Sequence, residues 1–262
     1  IRETLPYFLI SVAVIIIIHE AAHGVVARHE TIVVKSAGAL LIAIIPGGFV
    51  EPDEESFKKA SIEKKLKVLA SGSSANLVFA LMMIVLLTAF FQPTGVLIAS
   101  ILEDGPAAKA GLQVGDVIVA VDGKPTLNVE KFREIMKNVG VDTTVVLDVK
   151  YENGSTKSLM VTTVSAPEDI HRAIIGVYPS NYVKITPVYL TLFWIQLWSI
   201  SIAVFNMIPI YPLDGGNLIH NLLEKYTKNY AKTLSALVSS FFLSLLALNI
   251  LLTFSIFGFI SI

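Results

Sequence analysis

Residues 5–26 read LPYFLISVAVIIIIHEAAHGVV. From Leu5 to Ile18 the run carries no charge, and then His19, Glu20 and His23 interrupt it. A bilayer core of about 30 Å needs roughly 20 apolar residues as a helix, so this segment spans only if the helix continues through those three residues to about Val26. On a helix advancing about 100° per residue, His19 and His23 stand about 40° apart on one face. Two imidazoles one turn apart can share a Zn²⁺ at about 2.0–2.1 Å. Glu20 lies beside them, where a carboxylate can take a proton from water on the metal. Ionisable groups at membrane depth are costly and face a polar interior. The competing reading ends the helix at Ile18 and leaves His19, Glu20 and His23 at the interface, but that helix is short for a span.

Three further uncharged runs lie downstream, at residues 68–91, 185–213 and 233–262. Together with the first segment they predict four spanning helices. No basic stretch precedes the first and no small-residue cleavage site follows it, so it reads as a span and not as a signal peptide. Of the 262 residues, 54% are apolar and 16% are charged, against about 25% charged in an ordinary soluble domain. Mean hydropathy is +0.70. Twenty basic and 21 acidic side chains give a net charge of −1, which leaves no bulk field for a polyanion and argues against a nucleic-acid partner. Cysteine is absent, which excludes disulfides, thiolate zinc sites and thiol chemistry. Arg28, Lys35, Lys58, Lys59, Lys64, Lys65 and Lys67 crowd the first loop, and Lys225, Lys228 and Lys232 the loop 214–232, whereas Arg2 alone precedes the first helix. By the positive-inside rule both basic loops are cytoplasmic, and the segment 93–184 lies on the other side.

Within the first loop, SAGALLIAIIPGGFVEP (36–52) is apolar but too short to span, and Pro46-Gly47-Gly48 breaks a helix. Its β-branched residues and glycines predict a re-entrant strand or hairpin, which survives at that depth only against protein or a wet cavity. In segment 93–184 the charge returns and the apolar period becomes two. Asp116–Gly123 reads as a strand ending in a turn. Asn128 caps a helix carrying Val129, Phe132, Met136 and Val139, with Gly140 as its stop. Thr144–Tyr151 and Ser158–Val164 flank the hairpin signal Asn153-Gly154. The stretch GPAAKAGLQVGDVIVAVDGKPT (105–126) resembles the PDZ family as found in membrane proteases, and Ile174-Ile175-Gly176-Val177 is similar to that family's peptide-carboxylate loop.

Catalytic zinc has three protein ligands and one water, so the histidine pair needs a partner. The candidate is Asp214, in NMIPIYPLDGG (206–216). It follows the third span on the side where the first ends, and two prolines with Gly215-Gly216 are expected to break the helix and turn the aspartate inward. The alternative is an aspartate that merely starts a short helix from Asn217.

HEAAH in a first membrane helix and NMIPIYPLDGG at the end of a later one resemble the site-2 proteases, zinc metalloproteases that cleave transmembrane substrates within the bilayer. Gly72-Ser73-Ser74-Ala75-Asn76 matches that family's G-x-x-x-N element, and Gly47-Gly48-Phe49 has a counterpart there too; many members carry Pro-x-Ala before the asparagine, where this chain has Ser-Ser-Ala. The resemblance runs from about residue 7 to 225. It implies a multi-pass α-helical membrane protein with about four transmembrane helices, a re-entrant β-segment and an inserted α+β PDZ-like domain. The metalloprotease core would occupy 1–92 and 185–262, and the PDZ-like domain 93–184. It further implies Zn²⁺ on His19, His23 and Asp214, Glu20 as general base and then acid, and Asn206 holding the substrate backbone. An edge strand at Gly47, Gly48 and Phe49 would pair with extended substrate. Asn76 and Gly72 are expected to pack helices closely, and His29, His171 and His220 to be surface or local residues, His220 being near enough to Asp214 to support it.

The implied partners are a transmembrane protein substrate, the lipid bilayer and a peptide ligand of the PDZ-like domain; the implied location is the cell membrane, with the site toward the cytoplasm. Two rivals stand beside this reading. An inactive membrane scaffold would bind partners through the PDZ-like domain and survive Glu20→Gln. A transporter would carry several ligand sets along a path, and the sequence holds one.

Overall fold

The computed structural model describes residues 4–42, 45–151 and 154–258. The chain forms two compact units, one of Ile1–Leu87 with Pro187–Ile262 and one of Thr88–Thr186.

The first unit begins with α1 (Leu5–His29). Proline stands in its first turn, where a missing N–H costs nothing, and Arg28 in its last turn, where a cation meets the free carbonyls. The strands β1 (Val34–Ile42) and β2 (Ile45–Pro52) form an antiparallel hairpin. The apolar stretch of the first loop is therefore strand, as expected; residues 43 and 44, between the two strands, lie outside the described residues. A short helix α2 (Glu54–Lys59) follows, capped by the Asp53 side chain on the Ser56 N–H. Next comes α3 (Ile62–Phe90).

Apolar contacts at two depths join these helices. Ile15 of α1 and Met83 of α3 cluster with Ile195 of α6 (Pro187–Asn206). Ala27, Ile32 and Val68 form a second cluster near the end of α1. Phe8 meets Trp198 edge-on at 5.3 Å. Lys64 donates to the Glu30 carbonyl at 2.8 Å and Lys67 to its carboxylate at 2.7 Å, tying the end of α1 to the start of α3. After α6 the chain turns through residues 207–213 into α7 (Asp214–Thr227), a 3₁₀ turn (Lys228–Tyr230) and α8 (Ala231–Phe257).

One expectation needs correction here. Gly215 and Gly216 do not break a helix; they form the first turn of α7. A Cβ on Gly215 would meet the Met207 carbonyl oxygen at 2.2 Å, and one on Gly216 the Ile210 carbonyl carbon at 2.5 Å. Glycine is required because α7 starts pressed against the backbone of the preceding loop. The expected span 185–213 accordingly stops at Asn206.

Among the described residues four helical segments are long and apolar enough to cross a membrane: Leu5–His29, Ile62–Phe90, Pro187–Asn206 and the stretch Asp214–Phe257 that contains α8. Within α8 only Ala231 is buried. Such a surface is stable against hydrocarbon but not against water. The last four residues of the expected span 233–262 lie outside the described residues.

The second unit is β-rich. Its elements are β3 (Gly95–Ile101), α4 (Pro106–Lys109), β4 (Val117–Val121), β5 (Lys124–Pro125), α5 (Val129–Met136), β6 (Thr144–Lys150), β7 (Thr156–Thr162), β8 (Val164–Ala166), β9 (Asp169–Ile174) and β10 (Val177–Tyr182). The main sheet runs β10-β3-β4-β6-β7, with β5 paired to β4. The period of two is visible in β6, whose Val145, Leu147 and Val149 are fully buried between exposed or half-buried neighbours. These side chains meet Phe132 and Met136 of α5, which the Asn128 side chain caps at the Lys131 N–H, 2.8 Å away. Gly154 takes a φ of +83°, in the left-handed region that favours glycine; Asn153, the other half of the expected hairpin signal, lies outside the described residues.

Candidate metal centre

Four elements of the first unit converge on one point. His19 and His23 lie one turn apart on α1, and both are buried, at 4% and 9% exposure. Asp214 opens α7. His19 Nε2 stands 3.1 Å from Asp214 Oδ2 and 3.1 Å from His23 Nε2, and His23 Nε2 is 3.2 Å from the same Oδ2. Among the described residues these three form the one cluster with the makings of a metal site. Three ligand atoms at roughly 2.0–2.1 Å from one tetrahedral ion stand about 3.3 Å apart, so the spacing suits zinc.

The chemistry of the donors agrees with the spacing. His23 Nδ1 lies 2.7 Å from the Val68 carbonyl oxygen of α3. A carbonyl only accepts, so Nδ1 carries a proton, and in the neutral ring Nε2 then keeps its lone pair toward the cluster. Gly72 of α3 faces the same point. A Cβ there would stand 2.4 Å from His23 Nε2 and 2.6 Å from His19 Nε2. The missing side chain is what leaves the imidazoles room, so Gly72 does more than let helices approach.

The remaining residues singled out in the sequence fall around this cluster. Glu20 accepts the Val50 N–H of β2 at 2.9 Å through Oε2. Asn206, the last residue of α6, brings its amide nitrogen to 3.2 Å from His19 Nε2. Gly48 passes α1 closely, since a Cβ on it would meet Ile16 and the Glu20 Cγ at 3.1 and 3.2 Å. Gly47 and Phe49 lie instead against β1: Gly47 abuts Leu40, and the Phe49 ring covers Gly38. A cavity of about 450 Å³ contains His19, Glu20, His23, Asn206 and Asp214 in its lining, and β2 enters it through Val50 and Pro52.

Sequence reasoning missed two contacts. Asn76, assigned to helix packing, is completely buried and places its amide 3.2 Å from His19 Nδ1; its place one turn from Gly72 was the available signal. The Val50 amide had no signal, because every residue but proline carries one. His220 bonds Ser235 of α8 at 3.0 Å, as a local residue would.

Comparison with known proteins bears on this geometry. The model of Peptidase family M50 matches residues 7–248. An uncharacterized protein of Methanocaldococcus jannaschii is 33% identical over 218 residues, 81% of this chain and 56% of that protein. A protein named "Probable periplasmic serine endoprotease DegP-like" from Pseudomonas fulva is 44% identical over 78 residues, 30% of this chain and 16% of its own. The chain thus spans about half or less of these relatives. Among solved structures, the PDZ domain of an SdrC-like protein from Listeria innocua covers 34% of this chain and 96% of its own, at 24% identity and a TM-score of 0.30.

Proposed function

The chain belongs to peptidase family M50, the site-2 protease family, and from that premise we propose that it is a zinc-dependent endoprotease hydrolysing transmembrane substrates within the bilayer. Family membership and four apolar helices support a membrane-embedded protease. The observation that carries the finer reading is the triangle of His19 Nε2, His23 Nε2 and Asp214 Oδ2, with edges of 3.1–3.2 Å, beside a carboxylate. His19, His23 and Asp214 hold the metal, which when bound acidifies water and polarises a carbonyl. Glu20 accepts a proton from the attacking water and passes it to the leaving amine nitrogen. The Val50 N–H fixes one oxygen of that carboxylate and leaves the other for proton exchange. Asn206 holds the substrate backbone beside His19. The strand β2, with Gly47, Gly48 and Phe49, pairs with an unwound substrate segment; a substrate left helical would hide its carbonyls.

The second unit is proposed as a PDZ-like domain. Its strand β10 ends the sheet, and a cavity of about 420 Å³ lined by Phe132, Met136, Ile175 and Val177 lies beside that edge, a place for a peptide to add as a strand. The basic loops support a metal site toward the cytoplasm and a location of this domain outside it.

The test is cleavage of a single-span substrate in detergent, with zinc measured on the same samples. Asp214→Ala is expected to lose zinc and activity together. Glu20→Gln keeps shape and zinc but cannot take a proton, so kcat should fall by about 10²–10⁴-fold. Full-strength zinc binding by Asp214→Ala would remove Asp214 from the ligand set. Zinc-loaded wild-type protein that cleaves nothing would favour the scaffold.

A further inference from the structure

We propose that Asn76 is a positioning residue for the metal centre: its side-chain carbonyl accepts the Nδ1 proton of His19 and so commits the Nε2 lone pair to the point shared with His23 and Asp214. The inference rests on the metal site proposed above and concerns the helix α3, which supplies no ligand. Asn76 is completely buried, and its amide stands 3.2 Å from His19 Nδ1. With the amide nitrogen turned to the ring, Oδ1 is buried with no hydrogen-bond partner among the described residues. The two ends of a primary amide fill the same volume, so a half-turn exchanges them in place.

The two orientations have opposite consequences. An oxygen toward the ring must be met by a proton on Nδ1, which leaves Nε2 as a lone-pair donor. A nitrogen toward the ring needs Nδ1 as acceptor, which sends the proton of the neutral ring to Nε2. There it would point into the space between His23 and Asp214, where a cation would have to sit. Metal binding therefore selects the oxygen. His23 has no such choice, because the Val68 carbonyl at 2.7 Å accepts whatever side chain residue 68 bears. Of the two histidines, only His19 depends on a side chain for its tautomer.

The experiment measures zinc dissociation constants for purified protein in detergent, by competition with a chromophoric chelator, and melting of the zinc-free forms. Asn76→Leu fills the space without an acceptor and should bind zinc about 10–100-fold more weakly, while zinc-free it melts close to wild type. Asn76→Asp can only accept, so it should bind zinc at least as tightly as wild type. A role as donor or as packing predicts the reverse for Asn76→Asp, since a carboxylate cannot donate to Nδ1 and is poorly buried. Asn76→Asp thus decides the matter even where Asn76→Leu does not fold. Zinc loss in Asn76→Asp, or wild-type affinity in Asn76→Leu, overturns the proposal while the metal site stands. Wild-type protein that binds no zinc overturns both.

Discussion

Gly72 tests the site at the scale of single atoms. Its missing side chain is replaced by two imidazole edges, and a methyl group would lie at 2.4 Å from one and 2.6 Å from the other. Neither ring can swing aside freely, because His23 is held by the Val68 carbonyl and His19 by Asn76. Gly72→Ala is therefore expected to weaken zinc binding at least about tenfold, the low end of what disturbing a ligand's support costs, although alanine is the better helix former by about 1 kcal/mol. Chelator competition measures the first effect, and melting of the zinc-free protein shows whether the helix itself is intact. The histidine pair was legible from spacing alone, because helix geometry is local. Gly72 was legible only as a small residue, since what fills its vacancy comes from another helix.

At the scale of elements, β2 and α1 cooperate. The Val50 amide is directed to Glu20, so it lies on the side of β2 away from β1. Proline is tolerated where a strand's N–H leaves the ladder, so Val50→Pro should keep the hairpin and remove the hydrogen bond to the carboxylate. A hydrogen bond to a charged group is worth about 1.5–3 kcal/mol, which corresponds to roughly 10–100-fold in rate. The expected outcome is a fall of that size in kcat with zinc content unchanged, measured by cleavage and metal analysis on one sample. That a strand would form here was readable from its β-branched residues and glycines. Which backbone amide would meet Glu20 was not, because a shift of one residue in register would present a different N–H. The start of α7 carries the same lesson: Gly215-Gly216 read as a break, yet they permit a helix to begin against the Met207 and Ile210 carbonyls.

At the scale of the whole molecule, loop charge predicts sidedness. The chain contains no cysteine, so single cysteines at the exposed positions Lys59, Lys124 and Lys225 would each report one compartment to an impermeant thiol reagent. Positions 59 and 225 should label from the cytoplasmic face and position 124 from the other. Labelling of position 124 from the cytoplasmic face alone would reverse the assignment. The sequence by itself determined the four apolar segments, the strand-forming stretch of the first loop, the alternating strands of the inserted segment and the pair His19 and His23. Each is a matter of composition or of a period within one element, and solvent and local geometry act on those directly. Only the tertiary structure decided that Asp214, 195 residues from His19, stands 3.1 Å from its Nε2, that Asn76 backs the same ring, and that Val50 holds Glu20. Such contacts depend on the rotation and depth at which α1, α3, α6 and α7 pack, and those are set by side chains of several elements together rather than by any one stretch of chain.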